Sequence, residues 1–262
     1  MAKIITVANH KGGVGKTTTV LTLGLYLSEK YKILLMDLDP SASLSTQIDF
    51  ENNGNSAGVS GFIKSPENEN LENYIIPTKY KNIDLLRADE NLYPVENRLS
   101  SSNKIKGRIL KTKLASIKEK YDYIIIDTSP AFGALLVNAL IASNLAVIPV
   151  QNEFSVFHGL NLFLSTIEKA ENLLEKDFEY KLLLTMYEKR IDDDDEQRKI
   201  IQSSFSDIIF QTLIEYDPLI KKAGNSGESI LNLTDKSRAA KQYEEFSREI
   251  EEHQKKEYFT IN

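Results

Sequence analysis

The stretch Lys3–Thr18, KIITVANHKGGVGKTT, decides the fold. Lys3–Asn9 is a β-branched apolar run that reads as a strand, and Lys16–Glu29 reads as a helix. Between them lies a glycine-rich turn. This context lets backbone N–H groups curl inward around phosphate oxygens, with the positive end of the helix behind them. Gly12, Gly13, Val14 and Gly15 would form the cradle, and Lys16 would reach the β- and γ-phosphates. The Thr17 hydroxyl would ligate Mg²⁺, and Thr18 would support the α-phosphate side. The common pattern G-x-x-x-x-G-K-[ST] puts glycine at position 10, where this chain has His10, followed by Lys11. On the loop alone, Lys11 reads as a solvated lysine.

Further strand-like runs follow: Lys32–Asp37, a weaker Asn82–Arg87, then Asp122–Asp127, Leu145–Val150 and Lys181–Met186. Their near-continuous Ile, Leu and Val suit strands covered on both faces. Helical segments are expected near Asn103–Glu119, Gly133–Ala142 and Ser155–Leu174. Such alternation predicts an α/β fold, a doubly wound and mostly parallel sheet in a single domain over residues 1–262. Ligands of such sheets sit at the carboxyl ends of the strands, here just after Asn9, Asp37, Asp127 and Met186. Asp37 and Asp39 end the second strand on one side of it, so one can serve the Mg²⁺ shell while the other orients an attacking water. Asp127 closes a hydrophobic strand in the Walker B manner. Glu51–Asn73, rich in Asn, Glu, Ser and Gly, reads as a mobile excursion, and Ile191–Glu196 as a solvated acidic run. Lys236–Lys256 reads as a charged helix that packs through Ala240, Tyr243, Phe246 and Ile250.

Composition narrows the classes. With no cysteine, disulfides, iron–sulfur ligation and a Cys nucleophile are excluded. Three scattered histidines argue against a zinc site. No apolar run approaches the length of a membrane span and no secretory leader is visible, so a cytoplasmic protein is expected. The net charge of −6 argues against a wholly basic, nucleic-acid-covering surface but leaves room for a local basic stripe.

The combined motifs resemble the deviant Walker A ATPases, and most closely the small ParA/Soj-like partition ATPases. KGGVGKTTT at Lys11–Thr19, DLDP at Asp37–Pro40 and YDYIIIDTSP at Tyr121–Pro130 carry the resemblance, with VNAL at Val137–Leu140, IPVQNEF at Ile148–Phe154 and LLLTMYEKR at Leu182–Arg190. The resemblance implies that ATP, with Mg²⁺, is sandwiched between two subunits of a homodimer. Lys11 would be the signature lysine reaching the partner's phosphates, Asp39 would position the hydrolytic water, and Asp37 and Asp127 would support the metal. It further implies ATP-dependent, sequence-independent DNA binding, nucleoid association and a centromere-binding, ParB-like partner that stimulates hydrolysis. Arg190, Lys221, Lys222, Lys236 and Arg238 are the DNA-contact candidates. The chain departs from the family at Ser41, where Gln is usual, and at Thr128 and Ser129, in place of Cys-Pro.

Competing readings weigh less. A MinD-like, membrane-cycling ATPase should end in a basic, bulky amphipathic helix, which EIEEHQKKEYFTIN is not. A nitrogenase-reductase-like role lacks its cysteines. A P-loop ligase or synthetase would need an acceptor pocket that no constellation announces. With the first strand at Lys3, no N-terminal helix-turn-helix is expected, and no operator recognition.

Overall fold

The computed structural model describes residues 1–48, 57–66, 68–100, 108–151, 163–168, 171–172, 178–188, 199–226 and 237–260, without the side chains of 221, 224–226 and 256–260. Eight strands form one sheet: β1 (Lys3–Val7), β2 (Ile33–Leu38), β3 (Ile76–Pro77), β4 (Ile83–Leu86), β5 (Tyr123–Thr128), β6 (Leu145–Gln151), β7 (Tyr180–Tyr187) and β8 (Ile209–Glu215). Their spatial order is β3-β4-β2-β5-β1-β6-β7-β8, and every pairing is parallel except β3 with β4. The helices are α1 (Lys16–Leu27), α2 (Ser43–Ile48), α3 (Gly58–Lys64), α4 (Leu92–Ser100), α5 (Ile109–Ala115), α6 (Ala134–Ala142), α7 (Pro218–Ser226) and α8 (Arg238–Thr260). Residues 163–168 and 199–204 are also helical.

The period of two along each strand divides the core into layers. Ile5, Ile33, Leu35, Ile125 and Val147 pack beneath α1 and α8, against Val20, Leu23, Tyr243 and Phe246. The intervening Ile4, Leu34, Met36, Ile124 and Ile126 face α3 to α6, where Phe62, Val95, Leu114 and Leu135 meet them. β6 and β7 contribute Ile148, Leu182 and Leu184 to a third cluster with Leu140, Phe163 and Ile167. All six residues of β2 and of β5 are buried, which is why these strands read as unbroken apolar runs. In the register, Asp127 lies opposite both Asp37 and Val7, so the carboxyl ends of β1, β2 and β5 finish level on one edge.

The sheet is larger than the sequence reading. β8 and the two-residue β3 are additional strands, and α2, α3, α4 and α7 additional helices. Glu51–Asn73 is not simply a loop excursion: α3 lies within it, with Val59 and Phe62 fully buried. Its helical character is masked by Gly58 and Gly61, poor helix formers whose neighbours supply the core contacts.

Candidate nucleotide site

The loop between β1 and α1 is shaped by its glycines. Gly13 and Gly15 hold φ of 76° and 91°, the left-handed region that L side chains avoid, and Gly15 caps α1 from that conformation. A Cβ at Gly12 or Gly13 would meet nothing within 4 Å, so the loop faces open space on that side. Two anchors fix it from below. Asn9 Nδ2 donates to the Pro149 carbonyl at 2.6 Å while its Oδ1 accepts from the Lys11 N–H at 3.0 Å. Thr185, buried near the end of β7, donates its hydroxyl to the Val14 carbonyl at 2.9 Å. Beneath α1, the Tyr243 and Thr19 hydroxyls lie 3.1 Å apart.

Lys16 and Thr17 open α1 beside the strand-end carboxylates. Lys16 Nζ donates to the Lys11 carbonyl at 3.1 Å, and Thr17 Oγ1 donates to Asp127 Oδ2 at 2.7 Å. Burial lowers the Lys16 pKa, while the nearby charges of Asp127 and Asp39 oppose that fall. Asp127 is fully buried, and its Oδ1 has no hydrogen-bond partner. Burial, then the charge of Asp37, raises its carboxyl well above the ordinary range, although the Thr17 hydrogen bond pulls the other way. Asp37 is also buried and shifted upward, chiefly by desolvation. Its oxygens accept from the Asp39 N–H at 3.0 Å and from the Ser45 N–H and hydroxyl at 2.9 and 2.7 Å. Asp37 therefore braces the turn into α2. Asp39 lies one residue beyond β2, partly exposed, with Oδ1 accepting from the Ser41 N–H at 2.8 Å.

The structure thus brings Gly12–Thr18, Asp37, Asp39 and Asp127 to one edge, with Lys11 at the loop entrance. Asn9, Ser45 and Thr185 are supports that sequence reasoning missed. A polar residue at the end of an otherwise apolar strand, as in KLLLTM, is the signal that could have found Thr185. The basic candidates are less gathered. Arg190 and Lys236 lie outside the described residues, as does the side chain of Lys221. Lys222 is exposed on α7, and Arg238, which starts α8, pairs with Glu215 at 3.0 Å. Asp217 Oδ2 accepts from the Ser237 hydroxyl at 2.7 Å, tying the starts of α7 and α8 together at the carboxyl edge of the sheet.

Known proteins resemble this chain over most of its length. The family described as AAA domain matches residues 2–180. The chain is 33% identical to the sporulation initiation inhibitor protein Soj of Bacillus subtilis, covering 95% of this chain and 98% of that one. It is 31% identical to the chromosome-partitioning ATPase Soj of Treponema pallidum, covering 95% and 97%. Among solved structures, a candidate plasmid partition protein of Borrelia burgdorferi bound to AMPPNP superposes with a TM-score of 0.79 at 27% identity, over 97% and 100% of the two chains. Cobyrinic acid a,c-diamide synthase of Mycobacterium smegmatis with ADP and magnesium gives 0.81 at 26%, over 97% and 96%. Sequence motifs, sheet order, phosphate loop and full-length relatives converge on one assignment: the chain belongs to the ParA/Soj-like family of partition ATPases.

Proposed function

We propose that this chain hydrolyses ATP as a Mg²⁺-dependent dimer and uses the cycle to hold and release DNA during partition. The observation that carries the reading is the phosphate loop seated against Asp127, whose buried, unpartnered Oδ1 lies on the carboxylate that receives the Thr17 hydroxyl. A carboxylate oxygen buried without a donor, beside a hydroxyl, suits a divalent cation. Thr17 and Asp127 would hold Mg²⁺, with Asp37 bracing the adjoining turn. When bound, the metal offsets charge on the β- and γ-phosphate oxygens.

The chain's own groups would do the rest. Backbone N–H groups of Gly12–Thr18 cradle phosphate, and Lys16 contributes a fixed positive charge where negative charge develops. Asp39 orients the water. Lys11 crosses to the second subunit's nucleotide, so that turnover requires the sandwich dimer and hydrolysis releases it. DNA would be held without sequence preference by a stripe that includes Lys222 and Arg238, with Arg190, Lys221 and Lys236 as further members. A ParB-like centromere-binding protein would accelerate turnover, and the protein would reside in the cytoplasm on the nucleoid. Among the described residues no helix is long and apolar enough to cross a membrane, and the apolar face of α8 is spent on the core, which disfavours membrane docking.

The test is ATP turnover and DNA co-sedimentation, each with and without non-specific duplex DNA. ATP-dependent DNA binding at moderate salt with slow basal turnover is expected. Lys16→Ala should lose nucleotide binding, and Lys11→Ala should leave a nucleotide-binding monomer that barely hydrolyses. Turnover without DNA binding would instead favour a metabolic ATP-dependent synthetase, the reading toward which the structural likeness to cobyrinic acid a,c-diamide synthase points.

A further inference from the structure

Between Asp127 and α6 the chain runs through Thr128–Gly133, and it is held at both ends. At the start, Thr128 Oγ1 donates to the Val7 carbonyl at 2.9 Å. At the far end, the Glu96 carboxylate, reaching over from α4, accepts the N–H of Ala134 and, at 3.1 Å, that of Leu135. Those are two donors that the first turn of a helix cannot satisfy internally. A Cβ on Gly133 would collide with the Glu96 carboxylate, so glycine is what admits it. Between the two holds, Phe132 is half exposed, yet its ring stacks on His10 with centroids 5.4 Å apart and planes 17° from parallel. His10 sits between Asn9, pinned to β6, and Lys11.

We propose that Phe132 and His10 are a positioning pair that fixes Lys11 for its reaction across the dimer, with Glu96 setting the place of Phe132 through the start of α6. Neither ring is assigned a role on phosphate, metal or water; the pair acts through Lys11. The stack bridges the two segments that flank the phosphates, the loop entrance and the chain leaving Asp127. It restricts the backbone on the amino side of Lys11, beside the clamp that Asn9 makes. The proposal rests on the ATPase reading above.

The experiment is a double-mutant cycle on the full chain: His10→Ala, Phe132→Ala and both together, with Phe132→Tyr to restore the stack. Turnover, affinity for a fluorescent ATP analogue and melting temperature are measured for each. An offset-stacked pair predicts a kcat loss of about two- to twelvefold in each single variant, with nucleotide affinity within about twofold of the unaltered protein. The double variant should be no slower than the worse single one, Phe132→Tyr should recover, and Glu96→Gln should fall in the same direction. Losses that multiply in the double variant, unchanged turnover in both singles, or a loss confined to nucleotide affinity would overturn the pairing. An unaltered protein with no turnover would sink the ATPase reading and this proposal together, whereas normal turnover with an uncoupled cycle sinks only the latter.

Discussion

Replacing Thr185 by valine exchanges a hydroxyl for a methyl of nearly the same shape inside β7. Thr185 is 1% exposed, and its hydroxyl lies 2.9 Å from the Val14 carbonyl and 3.3 Å from that of Val150. Val14 is itself 1% exposed, so water cannot replace the lost donor without opening the loop. Losing the bond costs about 1 kcal/mol, and leaving the carbonyl buried without its donor raises the cost toward about 3 kcal/mol. The added methyl returns less than about 1 kcal/mol of apolar burial. A net loss of about 1–2 kcal/mol should lower the melting temperature by about 2–8 °C in a chain of this size. Urea unfolding of nucleotide-free protein should show the midpoint fall with its slope unchanged. Because the bond secures a loop carbonyl, affinity for an ATP analogue should fall several-fold with stability. Thr185→Ser keeps the hydroxyl and should retain affinity while losing only the packing of one methyl. A valine variant within about 0.5 kcal/mol of the unaltered protein, with normal affinity, would refute the idea that β7 braces the phosphate loop.

Three further outcomes are expected. The raised carboxyl pKa of Asp127 means that the native state keeps a proton the unfolded chain releases, so its contribution to stability is present at low pH and declines as pH rises above about 3.9. Asp127→Asn should therefore abolish turnover yet gain thermal stability over unaltered, nucleotide-free protein more at pH 8 than at pH 5, and calorimetry showing no such trend would contradict it. Gly58→Ala should cost about 2 kcal/mol, because φ is +52° and its Cβ would lie 2.5 Å from Asp89 Oδ2 and 3.0 Å from the Arg87 carbonyl; a denaturation midpoint equal to wild type would be inconsistent with that strain. Charge reversal at Lys222 and Arg238 should weaken DNA binding and flatten its salt dependence by about one unit of slope per lost phosphate contact, and an unchanged slope would move the stripe elsewhere.

The phosphate loop and the strands β1, β2, β5, β6 and β7 were legible because each is read from neighbouring residues alone. Glycines before Lys16 announce the turn, and six consecutive buried residues in Tyr123–Thr128 announce a central strand. β8 lies at the sheet edge, with Gln211 exposed and Thr212 and Glu215 partly so, and thus lacks the unbroken apolar run of an interior strand. β3 contains Pro77, which an edge position tolerates because no ladder donor is needed there. The anchors were hidden for another reason. Thr185 and Val14 are 171 residues apart in sequence, and only the closing of β7 onto β6 makes them neighbours. Asp37 illustrates the same limit: its strand-end position suggested a metal ligand, while its three donors from Asp39 and Ser45 give it a bracing task that spacing could not reveal.

Tyr243 meets Thr19 across 224 residues of chain. During synthesis Tyr243, on the helix that backs the phosphate loop, leaves the ribosome 224 residues after Thr19. Until then Val20, Leu23 and Leu27 have no Phe246 or Ile250 to cover them. A nascent chain therefore carries the nucleotide signature long before it carries a finished nucleotide site.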